Sequence, residues 1–289
     1  MAEKKKRKPL DAAAGLRQME RLLGGAARGK KKQEQEAQQL VYDAWESPAD
    51  QAVELLQQAL ELDPANVDAW LGLLELGGPP PDEQIGLLRR LVAMAQENLG
   101  ADFNEYKGAF WGFHETRPYM RARGKLAHML TETGQWEEAA AEYEAMLELN
   151  PNDNQGVRYE LMTAYLTLER MEGARKLFKT FAGERKHSTI WAWAYVLERR
   201  LSGALDEARQ ALAVARKQNP HAPPYFLGHR KLPKNMPGSY GIGTREEAMI
   251  AWEILRPAWE KHPEIIQWLA GECGESQTGP NPADFRIVP

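Results

Sequence analysis

The chain has 289 residues, 43% hydrophobic and 27% charged, with a formal net charge of −4. Those proportions belong to an ordinary water-exposed protein, and no apolar run approaches the roughly 18 residues that a membrane span requires. One cysteine, Cys273, excludes an internal disulfide and a cysteine-built metal cluster. With no secretory apolar segment behind the basic start, the expected location is cytoplasmic.

Residues 1–33 hold eleven Lys/Arg against Glu3, Asp11 and Glu20, a net of +8, so the remaining 256 residues carry −12. Lys4, Lys5, Lys6, Arg7 and Lys8 form an unbroken run, and Arg28, Lys30, Lys31 and Lys32 form a second cluster. Such a segment repels itself and lacks apolar mass, so a disordered tail is expected over 1–33. It either keeps the chain soluble or contacts a polyanion such as nucleic acid or the ribosome, an anionic surface, or an import receptor.

Beyond it the pattern is helical. A first helix is predicted over 36–46, with Leu40, Val41, Ala44 and Trp45 on one side. Pro48 opens a second, carrying Ala52, Leu56, Ala59 and Leu60, that runs to Leu62 before Pro64. Ala69, Trp70 and Leu73 begin the next, Gly77 to Pro81 make a hard loop, and Asp82 is read as the cap of a helix reaching Leu99. An irregular aromatic insertion follows at about 100–117. From Met120 to Asn152 a helical pair is clearest: Ala122, Leu126 and Ala127, a turn at Gly134, then Ala139, Tyr143 and Leu147 before Pro151.

Leu161 and Tyr165 with Ala174 and Phe178 repeat that logic. So do Trp191 and Tyr195 with Gly203, Ala208, Leu212 and Ala215 before Pro220. A second insertion, 221–243, is rich in proline and aromatics and is expected to run extended. Thr244 and Glu247 then have capping-box spacing ahead of Met249, Trp252 and Leu255. Pro257 is expected to break or kink that helix, a last helix falls near 264–270, and 273–289 reads as a loose tail.

The prolines keep time. Pro151 and Pro220 lie 69 residues apart, close to two periods of 34, and Pro64 and Pro151 lie 87 apart, two periods plus an insertion of 19. A 34-residue helix-turn-helix period is that of the tetratricopeptide repeat. The expected fold is all-α: a right-handed helical solenoid of about five helix pairs over 34–272, with the two insertions.

Phe110-Trp-Gly, Glu115-Thr-Arg-Pro-Tyr-Met-Arg-Ala-Arg123 and Asn150-Pro-Asn-Asp-Asn-Gln-Gly-Val-Arg-Tyr159 resemble a bacterial family of tetratricopeptide proteins, itself similar to the suppression-of-tumorigenicity-seven family of eukaryotes. Pro224-Tyr-Phe-Leu, Lys231-Leu-Pro233, Gly241 and Glu247-Ala248 are similar to that family's C-terminal box. The resemblance covers about 105–270. It implies a repeat fold and no enzymatic activity or catalytic residues. Bacterial relatives often carry a Cys/His-rich metal motif near the C-terminus, which Cys273 alone does not supply.

No HExxH, cysteine–histidine cluster, phosphate loop or nucleophile elbow is present, so neither catalytic residues nor a cofactor or metal is expected. The candidate site is a groove. Arg121, Lys125 and His128 fall at i, i+4 and i+7 on the first helix of the clearest pair, and in tetratricopeptide arrays that helix lines the concave face. Tyr159 and Thr163, then Trp193, are the expected contributions of the next two pairs. Cations there suit an acidic peptide or a carboxylate terminus. The expected function is therefore a non-enzymatic protein–protein adaptor. The alternative is a nucleic-acid- or ribosome-associated factor that uses the basic tail.

Overall fold

A computed structural model describes residues 31–274. Lys4, Lys5, Lys6, Arg7, Lys8 and Lys30 lie outside the described residues, as do the Lys31 side chain and the tail from 275 onward. Among the described residues the regular structure is entirely helical. They form two compact units that divide between Gln155 and Gly156.

The first unit comprises α1 (Lys31–Trp45), α2 (Ala49–Leu62), α3 (Val67–Gly77), α4 (Pro81–Leu99), the single turn α5 (Asp102–Glu105), α6 (Arg117–Glu132) and α7 (Trp136–Leu149). Short turns fold each second helix back on its first, so α1 packs on α2, and α6 on α7. The three first helices adjoin one another, α1 beside α3 and α3 beside α6. Ala37, Val41, Ala52, Leu56, Leu88, Leu91, Ala122 and Leu126 fill the interior; small residues at these positions let the helices approach closely.

Pro64 and Pro151 act as anticipated. Helix α2 ends at Leu62 with Asp63 as its C-cap, and α7 ends at Leu149 with Asn150 as its C-cap. The start of α4 differs from expectation. Pro80 is its N-cap and Pro81 its first residue, because proline's missing N–H costs nothing there. Asp82 instead lies in the first turn, where its charge complements the helix dipole.

The insertion before α6 is folded rather than loose. Phe103, Phe110 and Tyr119 meet edge to face at 5.3–5.8 Å, and Tyr106 stacks on Phe113 at 3.8 Å. Buried Thr116 donates to the carbonyl of Phe110, which pins the turn. Arg117 donates to the carbonyl of Trp111 and lies over its ring at 5.4 Å, so it helps to fix the insertion.

The second unit comprises α8 (Arg158–Thr167), α9 (Met171–Thr180), α10 (Thr189–Leu201), α11 (Leu205–Gln218), the single turn α12 (Pro223–Phe226), α13 (Arg245–Glu260) and α14 (Pro263–Glu272). Helix α8 packs on α9 and on α10, and α10 on α11. Helix α11 ends at Gln218 ahead of Pro220 with Asn219 as C-cap. The segment 221–243 does not begin extended: Pro223 and Pro224 start a helical turn that buries Tyr225 and Phe226.

Helix α13 runs through Pro257 to Glu260. Thr244 caps α13 by accepting from the amide of Glu247. The Glu247 carboxylate turns outward from its own helix, accepting from Gly243 and from Thr189 at the start of α10. The capping spacing was therefore meaningful, but its carboxylate also ties two elements together.

A candidate interaction face on the first helices

In the first unit the geometry centres on Asp68 of α3, whose side chain is 1% exposed. Arg121 of α6 meets it with two parallel bonds, Nε at 2.8 Å and Nη2 at 2.5 Å. Gln38 of α1 donates to the same carboxylate at 3.3 Å, and Asn66, the N-cap of α3, donates to Gln38. One buried carboxylate thus joins all three first helices. A fork-to-fork pair fixes direction as well as distance, so Arg121 is held rigidly.

Trp45 stands at the rim, 54% exposed, with the Arg121 guanidinium 5.7 Å from its ring centroid. Tyr42, 45% exposed, meets Trp45 at 5.2 Å. Lys125 is half-buried on the same face of α6 as Arg121, and exposed His128 sits 3.4 Å from Glu132. Arg121, Lys125 and His128 are therefore on one side of α6 and at the surface, as their spacing required. Arg123, on another face, pairs with Glu142 of α7 and donates to Tyr119, so it fastens α6 to its partner helix. Asp68, Gln38 and Tyr42 escaped the sequence reading, which had set Trp45 on one side of its helix with Leu40, Val41 and Ala44. A lone acid inside the apolar run Val67–Trp70 was the available signal for Asp68.

The second unit corrects the rest of the expected groove. Thr163 and Trp193 are 1% and 0% exposed and cannot line an open surface. The reason is α13, which packs against both α8 and α10. Thr163 donates to the carbonyl of Ile254, while Trp193 stacks on Phe226 at 4.1 Å and lies 5.8 Å from Trp259. The face those first helices would offer a ligand is filled by the chain's own helix. Tyr159 is committed too: it donates to Glu184, accepts from Arg158 at 3.0 Å, and lies under that guanidinium at 4.3 Å. Burial, and then the bond to the Glu184 carboxylate, push its hydroxyl up to about 12.

Of the expected tail cations, only the Lys32 side chain is described, and it pairs with Glu36 on α1 at 3.5 Å. Among the described residues no group of three or more His, Cys, Asp or Glu is placed to hold a metal ion. No described helix is long and apolar enough to cross a membrane.

Compared with known proteins, residues 130–192 match the family model of the tetratricopeptide repeat. No curated protein matches the chain. The crystal structure of a tetratricopeptide repeat protein from Parabacteroides merdae is similar at 17% identity, over 82% of this chain and 85% of that one, with a TM-score of 0.46. The chain is thus an all-α protein built of helix pairs that, across residues 130–192, is similar to tetratricopeptide repeats.

Proposed function

We propose that this chain is a non-enzymatic adaptor that binds a peptide or protein segment on the α1–α3–α6 face of its first unit. The observation that carries the reading is the Asp68–Arg121 pair beneath exposed Trp45, with Lys125 one turn along. A rigid guanidinium, a second cation and two exposed rings suit a segment that presents a carboxylate beside an apolar side chain. The cations form a local island, since residues 34–155 hold 23 carboxylates against seven Lys/Arg. At physiological salt, screening over about 8 Å lets that island act at close range while the unit as a whole repels polyanions. The motif strings in 105–270 extend the proposal to membership of the bacterial relatives of the suppression-of-tumorigenicity-seven family, with the cytoplasm as the compartment.

Lys125→Glu tests it more cleanly than any change at Arg121, because Lys125 has no buried partner to strand. Titrating fluorescently labelled acidic–apolar peptides onto the full chain, followed by the label's anisotropy, should show affinity reduced at least tenfold by Lys125→Glu with the circular dichroism unchanged. Equal affinity in the two proteins refutes the face. The nucleic-acid reading rests on the +8 of residues 1–33 and not on the acidic first unit. It requires binding that weakens steeply with salt and is lost on removing those residues.

A further inference from the structure

We propose that the cleft between α11, the turn α12 and the end of α14 binds a small phosphate monoester with an apolar body. The site belongs to the second unit and stands apart from the face proposed on the first. Its chemistry begins in the sequence: residues 208–245 hold seven Lys/Arg and two histidines but no Asp or Glu. Residues 156–274 as a whole have 18 Lys/Arg against 13 Asp/Glu, whereas the first unit is acidic. A cleft lined by one sign of charge concentrates ions of the other. The fold gathers part of the basic stretch around a space of about 590 Å³, within the range of about 300–1,000 Å³ typical of small-molecule sites. Arg216 and Lys217 line it from the last turn of α11, and His229 lines it from the segment after α12.

The walls are fixed by contacts on every side. Asn219, the C-cap of α11, donates to Thr189 and to the carbonyl of Thr244, each at 3.0 Å. Turn α12 is anchored by buried Tyr225 and Phe226, and the Arg230 amide returns to the Pro224 carbonyl at 3.0 Å, closing the loop that carries His229. Arg209 holds Glu272 of α14 at 2.8 Å, and Arg216 donates to the Glu272 carbonyl at 3.3 Å. No carboxylate among the described residues lines the cleft, and Lys217 pairs with no acid among them. A lysine in a last helical turn can simply offset the helix dipole, but here it shares a wall with a guanidinium and with an imidazole from a second element. A phosphate monoester brings about −1.5 to −2 charges and three acceptor oxygens at pH 7. These match two cations and three donor side chains. The rest of the wall suits carbon: Pro220, Pro223 and Pro224 have no N–H to leave unpaired and a fixed φ, and Leu227 lies beside them. A wall this rigid loses little entropy when a ring settles on it.

The chain carries its own reporter, because its one cysteine, half-buried Cys273, stands on the same wall. Alkylation of the full chain by N-ethylmaleimide is followed across a titration of 1-naphthyl phosphate. The rate should fall along a single saturation curve, about tenfold at ten times the midpoint concentration. Lys217→Glu, at an exposed position with no buried partner to strand, should raise the midpoint by about tenfold or more with the circular dichroism unchanged. A midpoint is unaffected by any change in the thiol's own reactivity. Inorganic phosphate and 1-naphthol, each lacking half of the ligand, should give no protection at the same concentrations. The Lys125→Glu chain should be protected like the parent, which keeps this result separate from the fate of the first-unit face. Absence of protection, an unchanged midpoint in Lys217→Glu, or equal protection by 1-naphthol overturns the proposal. So does protection by a single-stranded oligonucleotide but not by the ester, which assigns the basic stretch to a polyanion instead.

Discussion

Replacing Arg121 by Met should destabilise the first unit far more than a typical surface substitution. The Asp68 carboxylate is 1% exposed and would lose both guanidinium bonds, keeping only the 3.3 Å donation from Gln38. Breaking a buried ion pair by removing one partner costs about 3–5 kcal/mol, because the remaining charge stays desolvated. Arg121 itself is 32% exposed, so water can follow it into the gap, and the lower end, about 3 kcal/mol, applies. Urea unfolding followed by circular dichroism measures the loss. Adding Asp68→Leu to the Arg121→Met chain should recover at least half of it, since an apolar pair strands no charge. A single variant within about 0.5 kcal/mol of the parent, the range of an exposed pair, would refute the argument that Asp68 depends on Arg121.

Other outcomes follow from the second unit. The Glu160 carboxyl is held neutral up to about pH 7, whereas the unfolded chain ionises near 4.5. A folded value above the unfolded one gives stability that is complete below about 4.5 and lost as pH rises through 7. The loss is about 3 kcal/mol, which Glu160→Gln should flatten in denaturant midpoints taken from pH 4.5 to 8. Glu169 turns the α8–α9 hairpin with φ of 56°, where glycine is unstrained, so Glu169→Gly should raise unfolding stability by about 0.5 kcal/mol despite losing the exposed Lys261 pair. Trp193→Ala should cost about 3–5 kcal/mol in the same assay, as a buried ring rather than a ligand contact.

Much of the helical pairing was legible because its punctuation is chemical. Asp63-Pro64, Asn150-Pro151 and Asn219-Pro220 each close a second helix. Gly134 and Gly203 turn hairpins with φ of 74°. The intervening turn was hidden because Glu169 adopts the left-handed conformation that glycine marks elsewhere; with it, the turns fall at 134, 169 and 203, steps of 35 and 34. The site was less legible for a physical reason. Helical periodicity says that one face of a helix is covered, but not by what. Thr163 and Trp193 share the spacing of groove residues, yet α13, which begins 52 residues after Trp193, covers them. Asp68 was obscure because its partner Arg121 lies 53 residues away in sequence.

The most direct test of the interaction face is a photo-crosslinking amino acid placed at Tyr42, with a second chain carrying it at exposed Val214 of α11 as control. With a peptide or protein ligand identified by titration, the account predicts a crosslink from position 42 that Lys125→Glu abolishes, and none from position 214. Crosslinking from 214 alone, or equally from both positions, would contradict the claim that the first helices of the first unit hold the partner.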